Sequence, residues 1–233
     1  PDHEISDFWP ATAQFVGKDI LRFHTITWPA ILLGLNLDLP ENIVSHGHIL
    51  VDGQKMSKSI GNVVDPIAVI ERHGLEAFRY YFLRHADTFA DSDFTWEKFD
   101  NAYANELAND LGNLVQRLAT LCHKNEVCGL KVETEFSPEY LAMMGNFEFS
   151  KAFDYAWTKI QDLNRSIDQQ KPWELAKTSP EKAKLVLTNL VKDLLSTSSY
   201  LEAFLPDTVS RILEIFGTME IIAPPATPLF PKN

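Results

Sequence analysis

Residues 52–62 read DGQKMSKSIGN, and this stretch decides how the chain is interpreted. It follows a short apolar run at residues 48–51, which has the composition of a strand. Asp52 and Gly53 favour a tight hairpin turn, because Gly, and to a lesser degree Asp, tolerates a positive φ angle. The sequence therefore predicts a strand and a hairpin turn, followed by a polar loop with too little apolar content to be core.

Two lysines, Lys55 and Lys58, flank Ser57 in this loop. Ammonium groups with a hydroxyl between them suit a polyphosphate, because each is a strong point-charge donor and such groups stabilise charge that develops during phosphoryl chemistry. An ordinary solvated loop is the alternative, and for an arbitrary pair of surface lysines it is the commoner outcome. Charge alone leaves both interpretations open.

Residues 55–59 read KMSKS, which resembles the second signature of class I aminoacyl-tRNA synthetases. The resemblance implies a mobile loop that closes over ATP, which is a substrate together with Mg²⁺. It implies that Lys58 binds the phosphates while an amino acid attacks the α-phosphorus, and that Lys55 supports the closed loop. Ser57 is assigned to the same ATP site.

Composition and charge limit the possible functions. The 233 residues are 45% apolar and carry a formal net charge of −11, which argues against sequence-independent binding of nucleic acid. Any RNA contact must then be local and selective. Cys122 and Cys128 lack metal-ligand spacing, and the sequence has no signal peptide and no apolar run long enough to span a bilayer. These features predict a cytoplasmic protein with reduced thiols, no metal site and no membrane partner.

A strand, a glycine turn and a helix start follow one another at residues 14–30. Such a turn places a helix N-terminus near the carboxyl end of a strand, where open α/β sheets bind ligands. The stretch 15–30, FVGKDILRFHTITWPA, resembles methionyl-tRNA synthetases more than their isoleucyl, valyl or leucyl relatives. The resemblance assigns three residues to the adenylate: Gly17, Lys18 and Asp19. It also implies that Ile20 and His24 line a methionine pocket, although by chemistry alone His24 would be a hydrogen-bonded core histidine.

The triplet at residues 46–48, HGH, is not the other signature of the class. Its glycine directly follows the first histidine, and the triplet lies in a strand pattern rather than at a helix N-terminus. Two histidines without further ligands also do not complete a zinc site. The backbone up to Ile49 is predicted to flank the adenine.

The chain changes character after an acidic stretch at residues 87–93, which reads as a connector. Beyond it, four helices with three-to-four-residue apolar spacing predict a bundle, interrupted by a loop-like stretch at 126–146. The predicted stripe of the first helix extends to Leu121, and that of the fourth includes Leu213. Three domains are predicted. Residues 1–95 form an α/β portion, the second half of a Rossmann-like nucleotide-binding domain with the KMSKS loop. Residues 96–220 form an all-α anticodon-binding helix bundle, and residues 221–233 form a Pro-rich strap or linker.

Asn113 and Arg117 lie four residues apart on the first bundle helix and so project from one face. An amide and a guanidinium can read base edges, and Trp173, in the break between two helices, offers a surface for stacking. Polar helix faces and loop tryptophans more often serve solvation and packing. The stretches 110–117, DLGNLVQR, and 171–173, KPW, resemble the anticodon-reading helix and the stacking corner of bacterial methionyl-tRNA synthetases, which implies that these three residues read a CAU anticodon.

The leading hypothesis is the C-terminal part of a methionine–tRNA ligase whose partners are methionine, ATP, tRNA(Met) and a missing N-terminal half of the same chain. That half is expected to hold the His and Gly signature and much of the methionine pocket, so the fragment is expected to be inactive alone. Two alternatives stay open. One is a noncatalytic tRNA-binding module, and the other is a nucleotidyl transferase that shares the phosphate loop but charges no tRNA.

Overall fold

The computed structural model describes residues 8–57 and 59–232, so Lys58 lies outside the described residues. The contacts divide the chain into two compact units. One comprises Pro1–Val63 with Ala86–Phe94, and the other comprises Val64–His85 with Thr95–Asn233. The helices that follow the KMSKS loop therefore group with the helical unit, whereas the functional boundaries at 95 and 220 stay a prediction.

The first unit contains a parallel strand pair. β1 (Gln14–Gly17) pairs with β2 (Ile43–His46), and Phe15 lies opposite Val44 in the register. The connection begins with a 3-10 turn at Lys18–Ile20, continues through π-helical turns at Phe23–Thr27 and ends in α1 (Trp28–Gly34). The predicted order of strand, glycine turn and helix is confirmed.

A second, three-stranded sheet holds the hairpin that precedes the loop. β3 (Ile49–Val51) runs antiparallel to β4 (Gln54–Lys55) and parallel to β5 (Ser92–Phe94). Asp52 and Gly53 have φ angles of 51° and 72°, as the tight turn required. The prediction that residues 87–93 are only a connector is wrong, because their last two residues belong to β5.

Apolar side chains around α1 point outward. Leu32 is the one buried residue within α1, at 7% exposed, whereas its neighbours lie largely in solvent. The large apolar side chains that are more than a third exposed between the 3-10 turn and the end of α1 are Ile20, Leu21, Phe23, Ile26, Ile31 and Leu33. A group of exposed large apolar side chains of this kind usually marks a surface that another chain segment or protein covers.

The second unit is built from helices. In chain order they are α2 (Pro66–His73), α3 (Leu75–Arg84), α4 (Trp96–Ala102), a π-helical segment (Tyr103–Gly112), α5 (Asn113–Lys124), α6 (Pro138–Gly145), α7 (Phe149–Gln170), α8 (Pro172–Thr178), α9 (Pro180–Leu201) and α10 (Pro206–Phe216). Within the described residues, none of the helices is both long enough and apolar enough to cross a membrane.

Three sequence predictions about this unit are wrong. The stretch 126–146 is not all loop, because Ser137 accepts a hydrogen bond from the Tyr140 amide and so caps the start of α6. Leu213 is 46% exposed rather than buried. Leu121 is only half-buried and lines a cleft. The apolar stripe of α7 is confirmed, since Trp157 and Ile160 are fully buried.

Residues 221–232 form a strap that packs against the helices. Leu229 and Phe230 are buried, and the Tyr103 hydroxyl donates a 2.7 Å hydrogen bond to the carbonyl of Pro231. Arg211 donates to the Leu229 carbonyl at 2.9 Å. The segment is therefore held by both apolar and polar contacts, which favours the strap over the linker.

A mostly buried polar cluster joins three helical segments. Arg84 on α3 donates to Glu106 at 2.9 Å and to Asp154 on α7 at 2.8 Å, and the Tyr80 hydroxyl donates to the same Glu106 carboxylate. His85 Nε2 lies 2.7 Å from Glu106. Burial alone would raise the pKa of Glu106, but the hydrogen bonds from His85 and Tyr80 and the charge of Arg84 hold it below its ordinary value of 4.5.

We expect Glu106→Gln to lower the free energy of unfolding by about 2 kcal/mol at neutral pH, because the variant removes the charged acceptor of a mostly buried guanidinium. Since the folded-state pKa of Glu106 lies below its unfolded value, this contribution is fully present above about pH 4.5 and is lost as the pH falls through the folded-state pKa. Urea titrations of both proteins from pH 7 to pH 3 measure the difference. Glu214→Gln, at an exposed carboxylate on α10, is the control. A difference that does not depend on pH would contradict the prediction.

Candidate functional site

In the first unit, Asp91 connects two of the segments that the sequence assigned to nucleotide binding. The Lys18 ammonium donates to both carboxylate oxygens of Asp91 at 2.6 and 2.7 Å. The backbone N–H of His48 donates to the same side chain at 2.8 Å. The hydrogen bonds from Lys18 and from His48 lower the pKa of Asp91, so it stays charged at neutral pH. Lys18 is thus anchored to Asp91, a residue that the sequence analysis treated as part of a connector.

The first lysine of the loop lies next to the glycine turn. Lys55 Nζ is 3.4 Å from Asp19 Oδ2, and both side chains are more than half exposed. A backbone hydrogen bond within Asp19 and the contact with Lys55 lower the pKa of Asp19. A Cβ atom at Gly17 would lie 2.8 Å from Asp19 Oδ1, so a side chain at Gly17 would push this carboxylate away. Asp19 and Lys55 therefore form an exposed pair of opposite charges beside Gly17 at the end of β1.

The loop itself is closed by an amide. The Asn62 side chain accepts from the Ser57 amide at 2.8 Å and donates to the Lys55 carbonyl at 3.3 Å. The hydroxyls of Ser57 and Ser59 lie 2.8 Å apart. Asn62 therefore ties the end of the loop back to the backbone of Lys55 and Ser57. No role for Asn62 was predicted from the sequence, although Asx side chains commonly bond to nearby backbone groups.

The two residues predicted for methionine binding are accessible. Ile20 is 48% exposed, and His24 is half-buried, with Nδ1 3.1 Å from the Ile20 carbonyl and its ring edge-on to Trp28 at 5.9 Å. The core histidine considered for His24 is not what the structure has. Ile49, predicted to flank the adenine, is half-buried in β3.

The backbone at Gly47 allows a close approach that places Asp91. A Cβ atom at Gly47 would lie 2.0 Å from the carbonyl oxygen of Ala90. The Gly47 amide donates to the Thr88 carbonyl at 3.1 Å. Only glycine fits here, because any other residue would displace the segment that carries Asp91.

In the second unit, the three predicted anticodon residues lie around one cleft of about 390 Å³. The residues that line it are Asn113, Gln116, Arg117, Thr120, Leu121 and Trp173. The centre of the Arg117 guanidinium lies 4.9 Å from the Trp173 ring centroid, and its Nη2 donates to Asp168 at 2.7 Å. Lys171, with a left-handed φ of 44°, ends α7, and α8 then begins with Pro172 and Trp173.

The cleft combines amide groups, a guanidinium and an indole. Amides and guanidinium groups read base edges, and an aromatic ring stacks on unpaired bases, so the set suits single-stranded RNA. Cation–π contact with Trp173 and the ion pair with Asp168 orient Arg117 toward the cleft wall. Gln116 and Thr120 are the polar residues of the cleft that were not predicted from the sequence.

Comparison with known proteins identifies the class. The family model described as tRNA synthetases class I (M) matches residues 2–119. The chain belongs to this family of tRNA synthetases.

The curated relatives narrow the class of tRNA synthetase to which the chain is similar. The chain is 39% identical over 236 residues to the methionine–tRNA ligase of Listeria innocua, covering 94% of this chain and 36% of that protein. It is 40% identical over 230 residues to the methionine–tRNA ligase of Clostridium acetobutylicum, covering 91% and 35%. The chain spans about a third of the length of these curated relatives.

Solved structures agree with the sequence comparison. Mycobacterium tuberculosis methionyl-tRNA synthetase in complex with methionyl-adenylate is similar, with a TM-score of 0.84 and 29% identity, covering 100% of this chain and 53% of that chain. The apo form of the same synthetase has a TM-score of 0.81 and 26% identity. The mostly helical fold with small sheets is therefore that of methionyl-tRNA synthetases.

We expect Gly47→Ala to lower the free energy of unfolding of the first unit by about 2 kcal/mol, because the added methyl group overlaps the backbone of Ala90. Hydrogen exchange should become faster at residues 88–92, and urea unfolding should shift to lower concentration. Gly34→Ala is the matched control, since a Cβ there meets nothing within 4 Å. If Gly47→Ala and Gly34→Ala show the same hydrogen exchange and the same urea unfolding, the close contact between Gly47 and the Ala90 backbone is contradicted.

Proposed function

We propose that this chain is the part of a methionine–tRNA ligase that supplies the KMSKS loop and the recognition of the anticodon. The complete protein would join methionine to ATP, which is bound with Mg²⁺, and transfer the methionyl group to tRNA(Met). The observation that carries the proposal is the meeting of Asn113 and Arg117, on one helix, with the sequence-distant Trp173 around one cleft.

Residues 1–95 act in this proposal as the second half of a Rossmann-like nucleotide-binding domain. The parallel pairing of β1 with β2 and of β3 with β5 supports this assignment, because parallel strands with a helical crossover are typical of such domains. Residues 96–220 act as the anticodon-binding helix bundle, and 221–233 as a strap.

The nucleotide chemistry needs no protein nucleophile. The methionine carboxylate forms a bond to the α-phosphorus of ATP while the bond to the leaving pyrophosphate breaks. Lys55 and Lys58 stabilise the charge that moves onto the leaving group, and Ser57 contributes a hydroxyl beside it. Lys55 lies 3.4 Å from Asp19, so binding of a polyphosphate must compete with a weak, exposed ion pair.

The other assigned residues position the substrates. Lys18 is held by Asp91 and, with Gly17 and Asp19, forms part of the wall of the ATP site. Ile20 and His24 contribute an accessible apolar and aromatic surface for the methionine side chain. Ile49 lies in β3, beside the His48 amide that Asp91 orients, where it flanks the adenine.

The exposed apolar face around α1 is proposed to be covered by the N-terminal half of the same protein. Large apolar side chains such as Phe23 at 65% and Leu33 at 61% exposure are costly to leave in water. The curated relatives, of which this chain spans about a third, are long enough to supply such a half. In this proposal the chain alone binds RNA but does not activate methionine.

For the complete protein, we expect Lys58→Ala to lower the rate of methionine-dependent exchange between ATP and pyrophosphate roughly a hundred-fold, because it removes one charge donor at the reacting phosphates. The assay uses the protein expressed from its complete gene, with Lys182→Ala on the exposed face of α9 as a control. The 233-residue chain alone should give no exchange. If the 233-residue chain alone catalyses the exchange, and Lys58→Ala abolishes that exchange, then another half of the protein is not needed. If the complete protein with Lys58→Ala keeps its full exchange rate, the assignment of the KMSKS loop to the ATP phosphates is wrong.

For the chain itself, we expect tighter binding to a hairpin with a CAU loop than to the same hairpin with an altered loop, and Trp173→Ala should weaken binding to the CAU hairpin roughly ten-fold. Fluorescence anisotropy at one stated salt concentration measures both effects. Trp96→Ala, at a tryptophan on α4 outside the cleft, is the control. Equal affinity for both hairpins would favour a nucleotidyl transferase that reads no anticodon. Anticodon-dependent binding without methionine activation by the complete protein would favour a noncatalytic tRNA-binding module.

A further inference from the structure

We infer that Gln116 is a specificity-determining residue that reads the middle base, adenine, of the CAU anticodon. The inference rests on the proposed function, and it adds a residue to the Asn113, Arg117 and Trp173 set.

Gln116 lies at the centre of the polar face of α5. It follows Asn113 by three residues and precedes Thr120 by four, so all three project from one side of the helix. All three line the cleft, where Asn113 is exposed at the rim and Gln116 is half-buried. The middle position along this ridge matches the middle base of a three-base strand laid along it.

The Thr120 hydroxyl and the Arg117 guanidinium already have partners within the chain. The Thr120 hydroxyl donates its hydrogen to the Gln116 backbone carbonyl at 2.7 Å. Arg117 is bound to Asp168 and stacked over Trp173. Within the described part of the chain, no hydrogen bond involves the side-chain amide of either Asn113 or Gln116. The side-chain amides of Asn113 and Gln116 are therefore both free to bind a ligand, whereas only Asn113 was predicted to do so.

A CAU strand needs more than one free amide. Each amide offers one donor group and one acceptor, which together match one base edge, so Asn113 and Arg117 do not suffice for three bases. On its Hoogsteen edge, adenine is the one base of CAU that pairs with an amide in both directions, accepting at N7 and donating from N6. Guanine presents an acceptor in place of that N6 donor, so an amide set for adenine meets guanine with two facing acceptors.

The test compares three hairpins that differ only in the loop triplet, which is CAU, CGU or UAU. The proteins are the unaltered chain, Gln116→Ala, and Gln161→Ala as a matched control at an exposed glutamine on α7. Alanine is the best helix former, so α5 is retained in Gln116→Ala, and circular dichroism verifies this. Binding is measured by fluorescence anisotropy at one salt concentration.

We expect Gln116→Ala to reduce the preference for CAU over CGU about ten-fold and to leave the preference for CAU over UAU unchanged. Gln161→Ala should change neither preference. Loss of affinity for all three hairpins by one factor, or an unchanged preference for CAU over CGU, would overturn the assignment of Gln116 and leave the proposed function intact. Failure of the unaltered chain to prefer CAU would instead overturn the proposed function, and the assignment with it.

Discussion

The guanidinium of Arg84 sets the geometry on which the cleft depends. It holds Glu106, in the segment that leads directly into Asn113, and Asp154 on the helix that leads to Asp168 and Trp173. It also lies 4.9 Å from the centre of the buried Trp157 ring. A charge placed this deep is favourable only when its partners stay in position, so the two walls of the cleft are tied to one another through it.

The first unit uses the same principle with one carboxylate instead of one guanidinium. Asp91 binds the end of the β1 turn through Lys18 and the start of β3 through the His48 amide. The close contact at Gly47 places this carboxylate, so a steric constraint and an ion pair act on the same segment. Both units thus hold their candidate site residues in place through a small number of charged anchors.

Local patterns were predictable where chemistry acts between sequence neighbours. The Asp52–Gly53 turn and the buried stripe of α7 follow from φ preferences and from helical periodicity, and both were predicted correctly. The meeting of Asn113 and Arg117 with Trp173 was indicated by resemblance and not by spacing, since nothing in the local pattern joins two segments more than fifty residues apart.

The features that sequence reasoning missed depend on distant partners. Asp91 looks like one more acid in a connector until β5 pairs with β3. Leu121 continues a leucine stripe, but it lies at the edge of the buried face of α5, whose buried residues are Leu114, Val115, Leu118, Ala119 and Cys122, and so it lines the cleft. The start of α6 was predictable, because Ser137 and Pro138 form an N-cap and first-turn pair.

The strap has a consequence for how the helical unit is made. Tyr103 bonds to Pro231 and its ring lies 6.2 Å from that of Phe230, contacts that span more than half of the chain. Such long-range contacts form late, because closing a long loop costs entropy before any contact offsets it. During synthesis on the ribosome, the helices between them can form early, but the region around Tyr103 stays uncovered until residues 229–231 emerge. Residues 229–231 can therefore cover the region around Tyr103 only after the helices between them have been translated.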